Sequence, residues 1–115
     1  MKIYITACNK YTHICPTALE YLNNHWPNQD ITIIGYESVK ELKNLPDNVD
    51  VEFLGKQQDF GESWTTALIP FFQDVPEDYF VILLEDLIIM NPMDMERIDA
   101  LENQIRQGNA QKALI

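Results

Sequence analysis

Apolar residues recur along this chain in two alternating rhythms, and the boundaries between them are marked by proline, glycine and capping residues. Ile3–Cys8 is a short apolar run of strand length. Cys15-Pro16-Thr17 opens a helix with proline in its first turn. That helix carries Ala18, Leu19, Leu22 and Trp26 at helical spacing, and Pro27-Asn28 ends it. Asp30–Tyr36 is a second strand. Ser38-Val39-Lys40-Glu41 has the pattern of a capping box for a short helix, which stops before Pro46-Asp47-Asn48. Val49–Leu54 alternates as a third strand. A helix over Ser63–Gln73 places Trp64, Ala67, Leu68, Phe71 and Phe72 on one face, and Pro70 kinks it or confines it to a few turns. Tyr79–Leu84 is a run of six apolar residues, the composition of a strand buried on both faces. After Asn91-Pro92-Met93, Asp94 caps a helix bearing Met95, Ile98, Leu101 and Ile105, which Gly108-Asn109 ends.

Strands alternating with helices predict a three-layer α/β sandwich around a mainly parallel sheet. The 115 residues suffice for one domain with one core. The expected strand order is 3-2-1-4 or similar, with Ile3–Cys8 beside Tyr79–Leu84 at the centre. Lys112–Ile115 begins another apolar segment, in which Ala113-Leu114-Ile115 reads as a strand that has just started. Either a short edge strand closes the domain there, or the chain is the front part of something longer.

Charge narrows the partners. The net charge is −10, and from Asp74 to Glu102 nine acids stand against one base, Arg97. Phosphate backbones need clustered Lys and Arg, so a nucleic-acid partner is not expected. No apolar run is long enough for a membrane span, and the first residues lack the layout of a signal peptide. Cys8 and Cys15 are then expected as reduced thiols in a cytoplasmic protein. Together with His13 they fall short of the spacing of a zinc site. Gly55 and Gly61 do not make a phosphate-cradling glycine motif.

The chemistry that stands out is Glu85-Asp86, placed where the strand Tyr79–Leu84 ends. Unpaired carboxylates are costly to bury, so the pair belongs at the strand's C-terminal mouth. In open α/β sheets that mouth is where ligands bind. Two hard oxygen donors there suit Mg²⁺ or Mn²⁺ carrying a substrate phosphate. Asp86 ranks before Glu85 as the direct ligand.

The order of elements resembles the N-terminal, donor-binding half of a GT-A-fold glycosyltransferase. The resemblance rests on Phe80-Val81-Ile82-Leu83-Leu84-Glu85-Asp86, then Met90-Asn91-Pro92-Met93-Asp94 and a helix. Asp50–Gly55, with Asp59 and Ser63-Trp64 following, is similar to the stretch of that family that leads into the donor site, and Ile33–Glu37 is similar to its second strand. The resemblance implies a Rossmann-like sheet and a nucleotide-sugar donor, UDP- or GDP-linked, held through Mn²⁺ or Mg²⁺ on Glu85 and Asp86. It implies donor contacts at Ala7, Cys8 and Asn9 after the first strand, at Glu37 after the second, and at Asp59 and Trp64 beyond the third. Two departures stand out: Leu87 occupies a position where the family's motif places an acid, and no acceptor half or catalytic base is identifiable.

A non-catalytic α/β module that binds a nucleotide or a protein through the same surface is the alternative. A receiver-like signalling domain fits less well, because its acid pair would follow the first strand, which here ends Thr6-Ala7-Cys8-Asn9. Trp64 shares its helical spacing with Leu68 and Phe71, a core pattern as well as a ligand platform. A half-sized domain leaves apolar surface to cover, so a homo-oligomer is expected.

Overall fold

Alternate residues of the two inner strands feed two separate clusters in a computed structural model, which describes residues 1–63 and 65–114. The strands are β1 (Lys2–Ala7), β2 (Asp30–Gly35), β3 (Val49–Phe53) and β4 (Val81–Leu84). They form one sheet in the order β3-β2-β1-β4, with every neighbouring pair parallel. Ile3 is in register with Ile31 on one side and with Val81 on the other, so β1 is paired along both edges.

On one face, Ile3, Ile5 and Ala7 pack with Ile31 and Ile33 under helix α1 (Cys15–His25) and Ile98 of helix α3 (Met95–Arg106). On the other face, Tyr4 and Ile34 pack under Leu68 of helix α2 (Thr65–Gln73). The result is a three-layer sandwich of Rossmann-like architecture. Its logic follows from handedness. The chain steps from β1 to β2 to β3 in one direction, then returns across the sheet to β4. A return in the opposite direction with the same right-handed crossover requires the connecting helix, α2, to lie on the opposite face.

The three α-helices follow their local signals, whereas the capping box expected at Ser38–Glu41 does not form: Glu37–Glu41 is a 3₁₀ segment without a side-chain cap, and the Ser38 hydroxyl pairs with that of Thr12. Pro16 sits in the first turn of α1, and Cys15, Ala18, Leu19 and Leu22 are its buried residues. Trp26 caps the helix and is buried. Pro70 lies inside α2, which runs for nine residues. Asp94 caps α3, its carboxylate accepting the Arg97 N–H at 3.1 Å.

Two expectations about the sheet are corrected. β4 begins at Val81, not Tyr79, and it is an edge strand among the described residues, not a central one. Ile82 is 48% and Leu84 41% exposed, so the strand is not buried on both faces. The physical reason is that α2 sits over β1 and β2, and nothing described extends the sheet beyond β4. Tyr79 and Phe80 serve the packing of helices instead. The Tyr79 hydroxyl donates to Glu102 of α3 at 2.7 Å, and the Phe80 ring stacks on Phe72 at 4.9 Å. Residues 112–114 form no strand, and Ile115 lies outside the described residues. No helix among the described residues is long and apolar enough to cross a membrane.

Candidate functional site

The strand order reverses between β1 and β4, which are adjacent in the sheet, and the helices that follow them, α1 and α3, both pack on the first face. Such a switch point opens a crevice beyond the strand ends. Here it is a cleft of about 280 Å³. Ile34, Leu54, Leu68 and Leu84 supply apolar wall, and the rings of Tyr11 and Tyr36 stand at its sides. Thr6, Cys8, Glu85 and Asp86 are its polar groups. The lining contains no lysine or arginine.

Glu85 and Asp86 enter this cleft in different ways. The Glu85 N–H donates to Thr6 O at 3.2 Å, one residue beyond the last paired register of β1 and β4. That bond turns the Glu85 side chain inward, where it is 7% exposed. Its Oε1 accepts from the Cys8 N–H at 3.4 Å and from the Cys8 thiol at 3.3 Å. Asp86 sits in the following turn, closed by Leu87 N–H on Leu84 O at 3.0 Å, and is exposed. Burial pushes the Cys8 thiol up, and its hydrogen bond to the Glu85 carboxylate pushes it further. The Tyr36 phenol is also raised, first by burial.

A second set of contacts clasps the loops that follow β1, β2 and β3. The Asn9 side-chain amide donates to Glu37 Oε1, and its Oδ1 accepts from the Ser38 N–H at 3.1 Å. The Asn9 N–H donates to Gln57 Oε1 at 2.8 Å, and the Gln57 N–H donates to the same Glu37 oxygen at 3.2 Å. The Thr12 and Ser38 hydroxyls pair beside them.

The residues singled out from sequence therefore separate into groups. Ala7, Cys8, Glu85 and Asp86 meet around the cleft. Asn9 and Glu37 meet each other and are engaged in the clasp. Asp59 lies exposed in the 3₁₀ segment Gln57–Phe60, away from the cleft wall. Trp64 lies outside the described residues. Tyr36, Leu54, Ser38 and Gln57 were not singled out. Tyr36 carried a usable signal, an aromatic residue directly after a buried strand. Gln57 carried none, because its role depends on where the loop after β3 lands.

A larger hollow, about 600 Å³, opens at the other end of β1 between Lys2, Tyr4, Thr32 and Glu77. It collects no loops following strands. Its Lys2 is already bound to Asp30 and Thr32, and its Tyr4 hydroxyl to Glu77. The switch-point cleft is the better candidate despite its smaller volume.

Comparison with protein-family models, with curated proteins and with solved structures finds no match for this chain. Among the described residues, no three His, Cys, Asp or Glu side chains gather as a metal cluster.

Proposed function

We propose that the chain is a nucleotide-sugar-binding domain of the glycosyltransferase-like, GT-A type, and that its donor occupies the switch-point cleft. One observation carries this reading: the cleft joins apolar and aromatic wall to two carboxylates and has no basic residue in its lining. Ile34, Leu54 and Leu68 suit the face of a base, with the Tyr36 ring beside them. A diphosphate placed next to Glu85 and Asp86 meets like charge, so it needs a cation between.

The donor set suits a cation that arrives with the ligand. Mg²⁺ keeps several waters and commonly binds through one or two carboxylates plus substrate phosphates. Two adjacent carboxylates meet that requirement, whereas a resident ion would want more protein ligands than gather here. When bound, the ion supplies Lewis-acid stabilisation of a departing diphosphate. The chain's own residues shape the base-binding wall, exclude water from it and present the carboxylates.

A second reading, a module that binds a nucleotide or a protein without turnover, draws support from the engagement of Asn9 and Glu37 with each other. Isothermal titration with UDP, GDP and a UDP-sugar, in Mn²⁺ and in EDTA, tests the first reading. The expected result is binding at least about tenfold tighter with Mn²⁺. Equal binding in EDTA, or none under either condition, overturns the donor-site reading. Metal-dependent binding without hydrolysis or transfer to any acceptor favours the second.

A further inference from the structure

We propose that the free edge of β4 is a docking site for an extended, basic segment of a partner protein, which joins the sheet as a further strand beside β4. The site lies on the outer edge of the sheet and takes no nucleotide.

The backbone offers the bonds. The Glu85 N–H donates to Thr6 O, so strand alternation turns the N–H and C=O of Val81 and Leu83 toward β1 as well. Those of Ile82 and Leu84 turn the other way. The Leu84 C=O accepts the Leu87 N–H across the turn that ends the strand. Both N–H groups and the Ile82 C=O are left without a backbone partner among the described residues. They have the alternate spacing that the ladder of one more strand requires.

The two edges of the sheet differ in how they are guarded. β3 carries Asp50 and Glu52, both exposed, and charges of this kind keep an edge from pairing. β4 is Val81-Ile82-Leu83-Leu84, with no charge and no proline. Ile82 and Leu84 lie on the face of their register partners Tyr4 and Thr6, and both are exposed. An added strand takes its affinity from such main-chain bonds and its specificity from alternate side chains.

Charge selects the occupant. Asp78 stands before β4 and Asp86 after it, both exposed. The surrounding segment from Asp74 to Glu102 holds nine acids and one base. A second copy of the chain set antiparallel against β4 would bring Asp78 of each copy toward Asp86 of the other, and like charges across a strand pair are destabilising. A pairing of four residues is also small beside the roughly 1,200–2,000 Å² of a stable interface. A segment with apolar residues at its middle and Lys or Arg at both ends meets Ile82 and Leu84 with the one and the acids with the other.

The test titrates the nucleotide-free protein with two synthetic peptides of alternating valine and threonine, one ending in lysine pairs and one in glutamate pairs. The lysine peptide should bind at least about tenfold tighter than the glutamate peptide, and its binding should weaken as salt rises. At saturation, amide exchange should slow about tenfold at Ile82 and Leu84 and stay unchanged at Leu83, whose N–H already faces β1. Ile82→Pro removes an outward N–H, spares the ladder to β1 and should abolish binding. Asp78→Lys, an exposed change that keeps every strand bond, should weaken the lysine peptide about threefold or more. That variant and the exchange contrast decide the matter even if Ile82→Pro does not fold. No binding of the lysine peptide, equal binding of the two peptides, or binding that leaves exchange at Ile82 and Leu84 unchanged overturns the proposal. Peptide-free protein that dimerises with Ile82 and Leu84 protected overturns it in favour of a second copy.

Discussion

A β-carbon on Gly35 would stand 2.3 Å from Cγ1 of Val39. Gly35 ends β2, and Val39 folds back over it from the 3₁₀ segment Glu37–Glu41. The same β-carbon would stand 2.9 Å from the carbonyl oxygen of Ala7, its register partner on β1. Gly35→Ala should therefore cost about 1–3 kcal/mol, the range of overpacked cores. Val39→Ala in the same chain should return part of that loss by removing one of the two clashes. Urea unfolding of both single variants and the double variant measures it. Additive losses would contradict the clash with Val39.

Tyr4 crosses the sheet's second face to place its hydroxyl between both oxygens of Glu77, at 2.9 and 3.1 Å. Burial raises the phenol well above its ordinary range, and the Glu77 contact adds to this. Tyr4→Phe should cost about 1–3 kcal/mol, the worth of a hydrogen bond to a charged group. In an alkaline absorbance titration Tyr4 should be the last tyrosine to ionise, so the variant should lack the latest part of the curve. An unchanged late phase in Tyr4→Phe would count against the assignment.

The Cys15 thiol is pushed up to about 11 from an ordinary 9.0, mainly by burial and secondarily by the Glu85 carboxylate. The folded state thus holds this proton more tightly than the unfolded chain. Its contribution is complete below about pH 9 and is lost as pH rises toward 11, on the order of 1–3 kcal/mol. Denaturant midpoints at about pH 8 and at about pH 11 should fall more steeply for the wild type than for Cys15→Ala. Parallel slopes would show that the thiol does not carry the effect.

Asn9→Ala removes two side-chain hydrogen bonds at once, the one donated to Glu37 and the one accepted from Ser38, and keeps the backbone N–H that donates to Gln57. A loss of about 1–3 kcal/mol is expected. Amide exchange should quicken at Ser38 and Gln57 together. Acceleration confined to residue 9 would show that the loops are held independently.

The architecture was largely legible in the sequence because each element announces itself locally. Pro16, Asp94 and the alternation of Val49–Leu54 mark their own helices and strand, and strands alternating with helices predict a parallel sheet. The position of β4 was not legible. An apolar run such as Tyr79–Leu84 looks the same whether it fills a sheet centre or divides its side chains among α2, α3 and an open edge. Ile82 and Leu84 are apolar and exposed, and composition alone cannot separate them from Leu83, which is buried. At the site, the acids after β4 could be placed at the cleft because a strand's end is a local property. The engagement of Asn9 with Glu37 and Gln57 could not be read, since it depends on three loops arriving at one point.

β1 meets its two neighbours across very different lengths of chain. Lys2 and Asp30, a register pair, are 28 residues apart, whereas Cys8 and Glu85 are 77 apart. Loop-closure entropy delays pairings between distant segments. The β1-β2-β3 ribbon can therefore assemble before β4 arrives, and the cleft comes into being only at that last docking. In reverse, the seam beside β1 is the natural first place for the native protein to come apart, because an edge strand of four residues has one neighbour to release. A molecule that bridges the cleft would fasten the sheet where its chain is least local, and its affinity would be felt as resistance to unfolding.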